Sequence, residues 1–96
     1  MAGHDGVFDD GFGRLAAMML RALERRRDRA HERAAAFHPT ALGREPVGGE
    51  VAERDRWLEM ESYYGRAYDA VHAANVYVHH AAVRLQRIRE DAKYRR

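Results

Sequence analysis

The sequence contains no cysteine, which excludes disulfide frameworks, thiolate metal sites and cysteine nucleophiles and leaves the redox compartment open. Lysine occurs once, as Lys93, against 16 arginines; together with 17 alanines this skew reads as GC-rich coding rather than selection for guanidinium chemistry. No stretch approaches the roughly 18 uncharged apolar residues of a membrane span. The N-terminus, with Asp5, Asp9 and Asp10, has no basic region ahead of an apolar one. The expectation is a soluble, unprocessed, cytoplasmic protein. There is no Ser/His/Asp grouping, phosphate-binding glycine loop, HExxH or dinucleotide fingerprint, and a two-helix unit offers little concavity for a small molecule. Neither enzymatic activity nor a cofactor is expected. The formal net charge of +2 is too small for a polycationic nucleic-acid coat, although the isoelectric point is about 9.3.

What the chain does have is a heptad. Trp57, Tyr64, Val71, Val78, Leu85 and Ala92 recur every seven residues, with Met60, Ala67, Ala74, Ala81 and Ile88 interleaved. Such an a/d seam, kept in phase over five repeats, predicts a long helix lying against another helix. At 96 residues the chain suits one domain with little private core, and small helical chains often complete their core by association.

The organisation follows from the breakers. Residues 1–8 read as a flexible end, with Asp5 or Asp9 available to cap the next helix. A first helix over 9–37 carries Phe12, Leu15, Ala16, Met19 and Leu23 at helical spacing. The stripe resumes at Ala30, Ala34 and Phe37 after the charged run Glu24–Arg29. Residues 38–49 hold Pro39, Gly43, Pro46, Gly48 and Gly49 and read as the connection. A second helix over 50–94 has Glu50 and Glu53 at its positive end and Arg and Lys at its negative end. Its length is roughly 65 Å at 1.5 Å per residue. Gly65 lies inside it at a cost of about 1 kcal/mol relative to Ala. It sits off the seam, and the unchanged phase on either side predicts a continuous helix.

Charge predicts how the helices dock. If the chain reverses at 43–44, position i on the first helix faces position 87 minus i on the second. Arg21, Arg25, Arg26, Arg27, Arg29 and Arg33 against Glu24, Asp28 and Glu32 give +3. Glu50, Glu53, Asp55, Glu59 and Glu61 against Arg54 and Arg56 give −3. An antiparallel hairpin brings these segments together, with Arg stems available to lie over Trp57 and Tyr64. Exposed pairs contribute about 0 to 1 kcal/mol each, so charge sets register more than stability. The first helix then covers the second only to about residue 78, leaving Ala81, Leu85, Ile88 and Ala92 without cover. The predicted fold is therefore all-α: an antiparallel helical hairpin with one long second helix, dimerising into a four-helix bundle or coiled coil.

Three constellations bear on function. Asp69, His72 and His79 share one helical side at spacings suited to a metal, but they face away from the seam, and an ordinary surface pair explains Asp69 with His72. No metal site is assigned. The aromatic residues of the second helix support a protein interface comprising Trp57, Tyr64, Tyr68, Val71, Tyr77, Val78, Ala81, Leu85 and Ile88. The C-terminal cluster Arg84, Arg87, Arg89, Lys93, Arg95 and Arg96 against Glu90 and Asp91 gives +4 and offers contacts to phosphates.

Two families of small helical hairpins depart from this pattern. The hairpins exported by Gram-positive bacteria carry a Trp-x-Gly turn, whereas Trp57 is followed by Leu58 and Glu59. Ferritin-like half-bundles carry Glu-x-x-His, whereas the nearest spacing here is Asp69 to His72. The sequence-based expectation is a non-enzymatic assembly or adaptor protein that pairs with itself and an unidentified protein partner. By analogy alone it suits a phage or mobile-element accessory protein, or an inhibitor of host machinery. The alternative is a dimeric nucleic-acid-binding protein using the basic helix end. The third is a helical metal-binding protein.

Overall fold

The structure, a computed structural model, describes the backbone over residues 3–94 and side chains over residues 11–94. It is an all-α antiparallel hairpin of 76 × 19 × 17 Å. Helix α1 spans Gly3–Ala35, a single helical turn α2 spans Pro39–Leu42, and the long α3 spans Gly48–Tyr94. No strand occurs among the described residues. Helix α1 starts at Gly3 instead of residue 9, within the segment expected to be flexible. The proposed caps Asp5 and Asp9 have side chains outside the described residues.

The connection is more ordered than a loop. Proline restricts the residue before it to extended backbone, and His38 accordingly has φ −68° and ψ 143°, which ends the first helical run two residues earlier than residue 37. Pro39 then opens α2, since its missing N–H is not needed there. The Thr40 N–H donates to His38 Nδ1 at 3.2 Å, capping the turn. Gly43 closes it at φ +71°, a left-handed position that glycine adopts without Cβ strain, and its N–H donates to the Pro39 carbonyl at 2.8 Å.

Helix α3 begins at Gly48, not residue 50, because Glu50 secures the preceding turn. Its Oε1 accepts the Val47 N–H at 3.0 Å, the half of a capping box in which the third helical residue reaches back. The same carboxylate takes two guanidinium bonds from Arg44, at 2.7 and 2.9 Å. Held first by the Arg44 hydrogen bonds and then by the Val47 N–H, the Glu50 carboxyl lies at about 2 rather than the usual 4.5.

Packing follows a stripe on each helix. The inward stripe is Gly13, Ala16, Leu20, Leu23, Arg27, Ala30 and Ala34 on α1, continued by Phe37 just beyond its end, alternately three and four apart, with Phe12, Ala17 and Ala22 half-buried beside it. Leu15 and Met19 were expected in this stripe and are 53% and 44% exposed, because the stripe runs through Leu20. The charged run does not interrupt it either. Arg27 lies in line: its Cδ is 3.9 Å from where a Gly65 Cβ would stand, and its guanidinium lies 5.4 Å from the Tyr68 ring centroid. Arg33 lies over Trp57 at the same distance. Tyr68 thus takes the place expected for Tyr64, which is half-buried and set edge-on to Tyr63 at 5.7 Å between centroids.

On α3 the half-buried line follows the heptad at Trp57, Tyr64, Val71 and Val78, with Asn75 in place of Ala74 and Ala82 joining Ala81. A straight helix drifts by about 20° per heptad against a strict 3.5-residue repeat, which brings the following residues Asn75 and Ala82 toward the inward side further along. The continuity expected at Gly65 is present, since α3 runs unbroken across it.

The register differs from the one charge predicts. His31 Nδ1 meets Glu61 Oε2 at 2.5 Å, and Arg27 meets Gly65, so position i on α1 faces about 92 minus i on α3. The extra turn α2 moves the reversal toward Pro46. The Arg-rich segment consequently meets α3 largely through aromatic rings, and Arg27 and Arg54 each approach the carboxylate next to them in sequence, at 3.8 and 4.0 Å.

Candidate functional site

This register gives the hairpin two unlike sides. In antiparallel helices, the residue after each inward position points to one side and the residue before it to the other. The first side is mixed: toward the tip Ala34, Ala35 and Leu58, with His31, His38 and Arg54, line a largely apolar groove. The same side carries the His31–Glu61 contact and a shallow groove between Gly13, Arg14 and Ala17 of α1 and Asn75, Val76, His79 and His80 of α3. The second side is apolar over the distal half: Leu15, Met19 and Ala22 of α1 lie beside Ala70, Ala74, Tyr77 and Ala81 of α3, with Met18 on the outer edge. Leu15, Met18 and Tyr77 are 53%, 60% and 75% exposed.

The half-buried positions of α3 end at Ala82, opposite the first residues of α1 whose side chains are described. Every described residue of α3 beyond it is exposed, including Val83, Leu85 at 56% and Ile88 at 58%. The nine expected interface residues therefore divide. Trp57, Tyr64, Tyr68, Val71, Val78 and Ala81 are half-buried within the hairpin, and Tyr77, Leu85 and Ile88 face outward. Only Ala16, Ala30 and Ala34 are buried among the apolar residues described, and no large side chain is fully enclosed. At 11.1 kDa a compact monomer exposes about 5,700 Å². The chain exposes 7849 Å².

Sequence reasoning missed the contribution of α1 to this surface. Leu15 and Met19 were assigned inward and Met18 was not singled out. The available signal was the Met18-Met19-Leu20 run, in which three consecutive apolar residues cover too wide an arc for one seam.

The basic cluster is exposed at Arg84, Arg87, Arg89 and Lys93, while Arg95 and Arg96 lie outside the described residues. These side chains do not share one face: at 100° per residue, Arg89 is turned about 140° from Arg84 and about 160° from Arg87. Asp69, His72 and His79 are exposed along α3, and no group of three or more His, Asp or Glu among the described residues is arranged to hold a metal. His79 and His80 diverge, with ring centroids 6.1 Å apart and planes tilted by 52°. Among the described residues no helix is long and apolar enough to cross a membrane. No family model matches the chain, and neither a curated protein nor a solved structure matches it.

Proposed function

We propose that the chain is a non-enzymatic helical assembly or adaptor protein that acts through protein–protein contacts on the apolar side and uncovered end of α3. The observation that supports this reading is the thin core: among the described residues only three alanines are buried, and Leu85 and Ile88 of the 47-residue α3 stand exposed beyond its last half-buried position. Association is the physical route by which such a helix removes Tyr77, Leu85 and Ile88 from water. A role as a phage or mobile-element accessory protein, or as an inhibitor of host machinery, remains an analogy of size and shape.

The experiment is light scattering at micromolar concentration on the natural chain and on Leu85→Asp combined with Ile88→Asp. The natural chain should associate and the variant should lose association while keeping its helical circular dichroism. A folded natural monomer that also loses no protein partner on the same double substitution overturns the reading.

A second reading, nucleic-acid binding through the distal end, draws on the exposure of Arg84, Arg87, Arg89 and Lys93. It predicts salt-dependent retention on random DNA that charge reversal of Arg84, Arg87 and Arg89 abolishes. Retention unchanged by that reversal removes it.

A further inference from the structure

We infer that the occupant of the apolar side is a second copy of this chain, docked with its hairpin tip at the opposite end, about a two-fold axis near Tyr77, Val78 and Leu15. The inference rests on the assembly reading and names its partner and geometry.

Area is the first argument. The chain exposes roughly 2,000 Å² more than a compact monomer of its mass, whereas a standard interface removes about 800 Å² from each partner. The excess is on the scale of obligate dimers.

Orientation follows from the uncovered end. Two hairpins can stack through their apolar sides with tips together or tips opposed. With tips together, each α3 lies over the other copy's α1, and no described side chain of that helix reaches Leu85 or Ile88. With tips opposed, α3 lies along the other α3 and the end of each helix gains a cover.

The position of the axis follows from side-chain size. If residue j of one α3 faces about residue 155 minus j of the other, Leu85 meets Ala70 and Ile88 meets Ala67. Large side chains then fall on small ones, and Ala74 meets Ala81, which lets the backbones approach closely. Under the hairpin register the same axis passes Leu15 on α1, where Phe12 of one copy approaches Met18 and Met19 of the other. Charge agrees: Arg66 and Asp91, both exposed on this side of α3, come within a turn of each other across the two copies.

The absence of cysteine makes the test clean. Tyr77→Cys is treated with a short bis-maleimide crosslinker, with His72→Cys, exposed and turned about 140° from Tyr77 at 100° per residue, as control. The first should give a linked dimer in high yield and the second should give little. If Tyr77→Cys prevents association, mixing Ala74→Cys with Ala81→Cys should link the two variants to each other. Small-angle scattering supplies the length: opposed tips give a particle of about 100 Å at 1.5 Å per residue, against 76 Å for one hairpin.

A dimer of about 76 Å that is not linked through Tyr77→Cys or through the mixed pair overturns the geometry and leaves the assembly reading standing. A folded monomer with a foreign protein captured through Leu85 and Ile88 overturns the second copy alone. A folded monomer that captures nothing overturns both.

Discussion

At residue 65 the chain places a glycine in the middle of a 47-residue helix, facing an arginine stem. A Cβ there would stand 3.9 Å from Arg27 Cδ, an ordinary van der Waals contact, so nothing must move to admit a methyl group. Gly65→Ala should therefore stabilise the hairpin by about 0.5–1 kcal/mol, the helix-propensity difference, read as a rise in the thermal midpoint. A fall would mean that the Arg27 stem needs more room than the geometry indicates. Arg27→Ala should act in the opposite direction, because the arginine contributes stem packing and the Tyr68 ring contact. Its inward role is poorly legible in sequence, since a charged residue between Arg26 and Asp28 reads as solvated unless its partner surface is known. Leu15 and Met19 show the converse: apolar residues read as core point outward once the stripe is fixed through Leu20.

Among the elements, the hairpin apex depends most on one ionised group. Glu50 receives Arg44 and the Val47 N–H, and its carboxyl is held down to about 2. A carboxylate whose pKa is lower in the folded chain contributes stability above its unfolded value. That contribution is lost as pH falls from about 4.5 through about 2. NMR titration of the side-chain carbonyl should place the Glu50 midpoint near 2, and Glu50→Gln should remove that part of the acid response. A midpoint near 4.5 would show that the apex contacts do not persist in solution. The two long helices and their antiparallel pairing were legible from periodicity and from the Pro/Gly segment, because these signals are local and strong. The register was not: it depends on α2, which hides within a stretch rich in breakers and moves the reversal point. Charge counting across segments could not detect a displacement of this size, since exposed pairs contribute too little to decide it.

For the whole molecule the defining quantity is surface. An extended hairpin with alanines at its centre offers little enclosed apolar volume, and under the assembly proposal its stability depends on the copy that covers the distal half of α3. The thermal midpoint should accordingly rise with protein concentration. Tyr77→Glu, on the apolar side and away from the α1 stripe, should remove that dependence while leaving helix content at low concentration unchanged. The heptad past Ala82 made an uncovered seam visible in sequence. The participation of Leu15 and Met19 emerged only with the register, since it depends on which side of α1 adjoins Tyr77. The most direct measurement is sedimentation equilibrium of the unmodified chain at micromolar concentration. The account predicts a particle of about twice 11.1 kDa that dissociates on dilution; a helical, cooperatively melting particle of 11.1 kDa with a concentration-independent midpoint would contradict it.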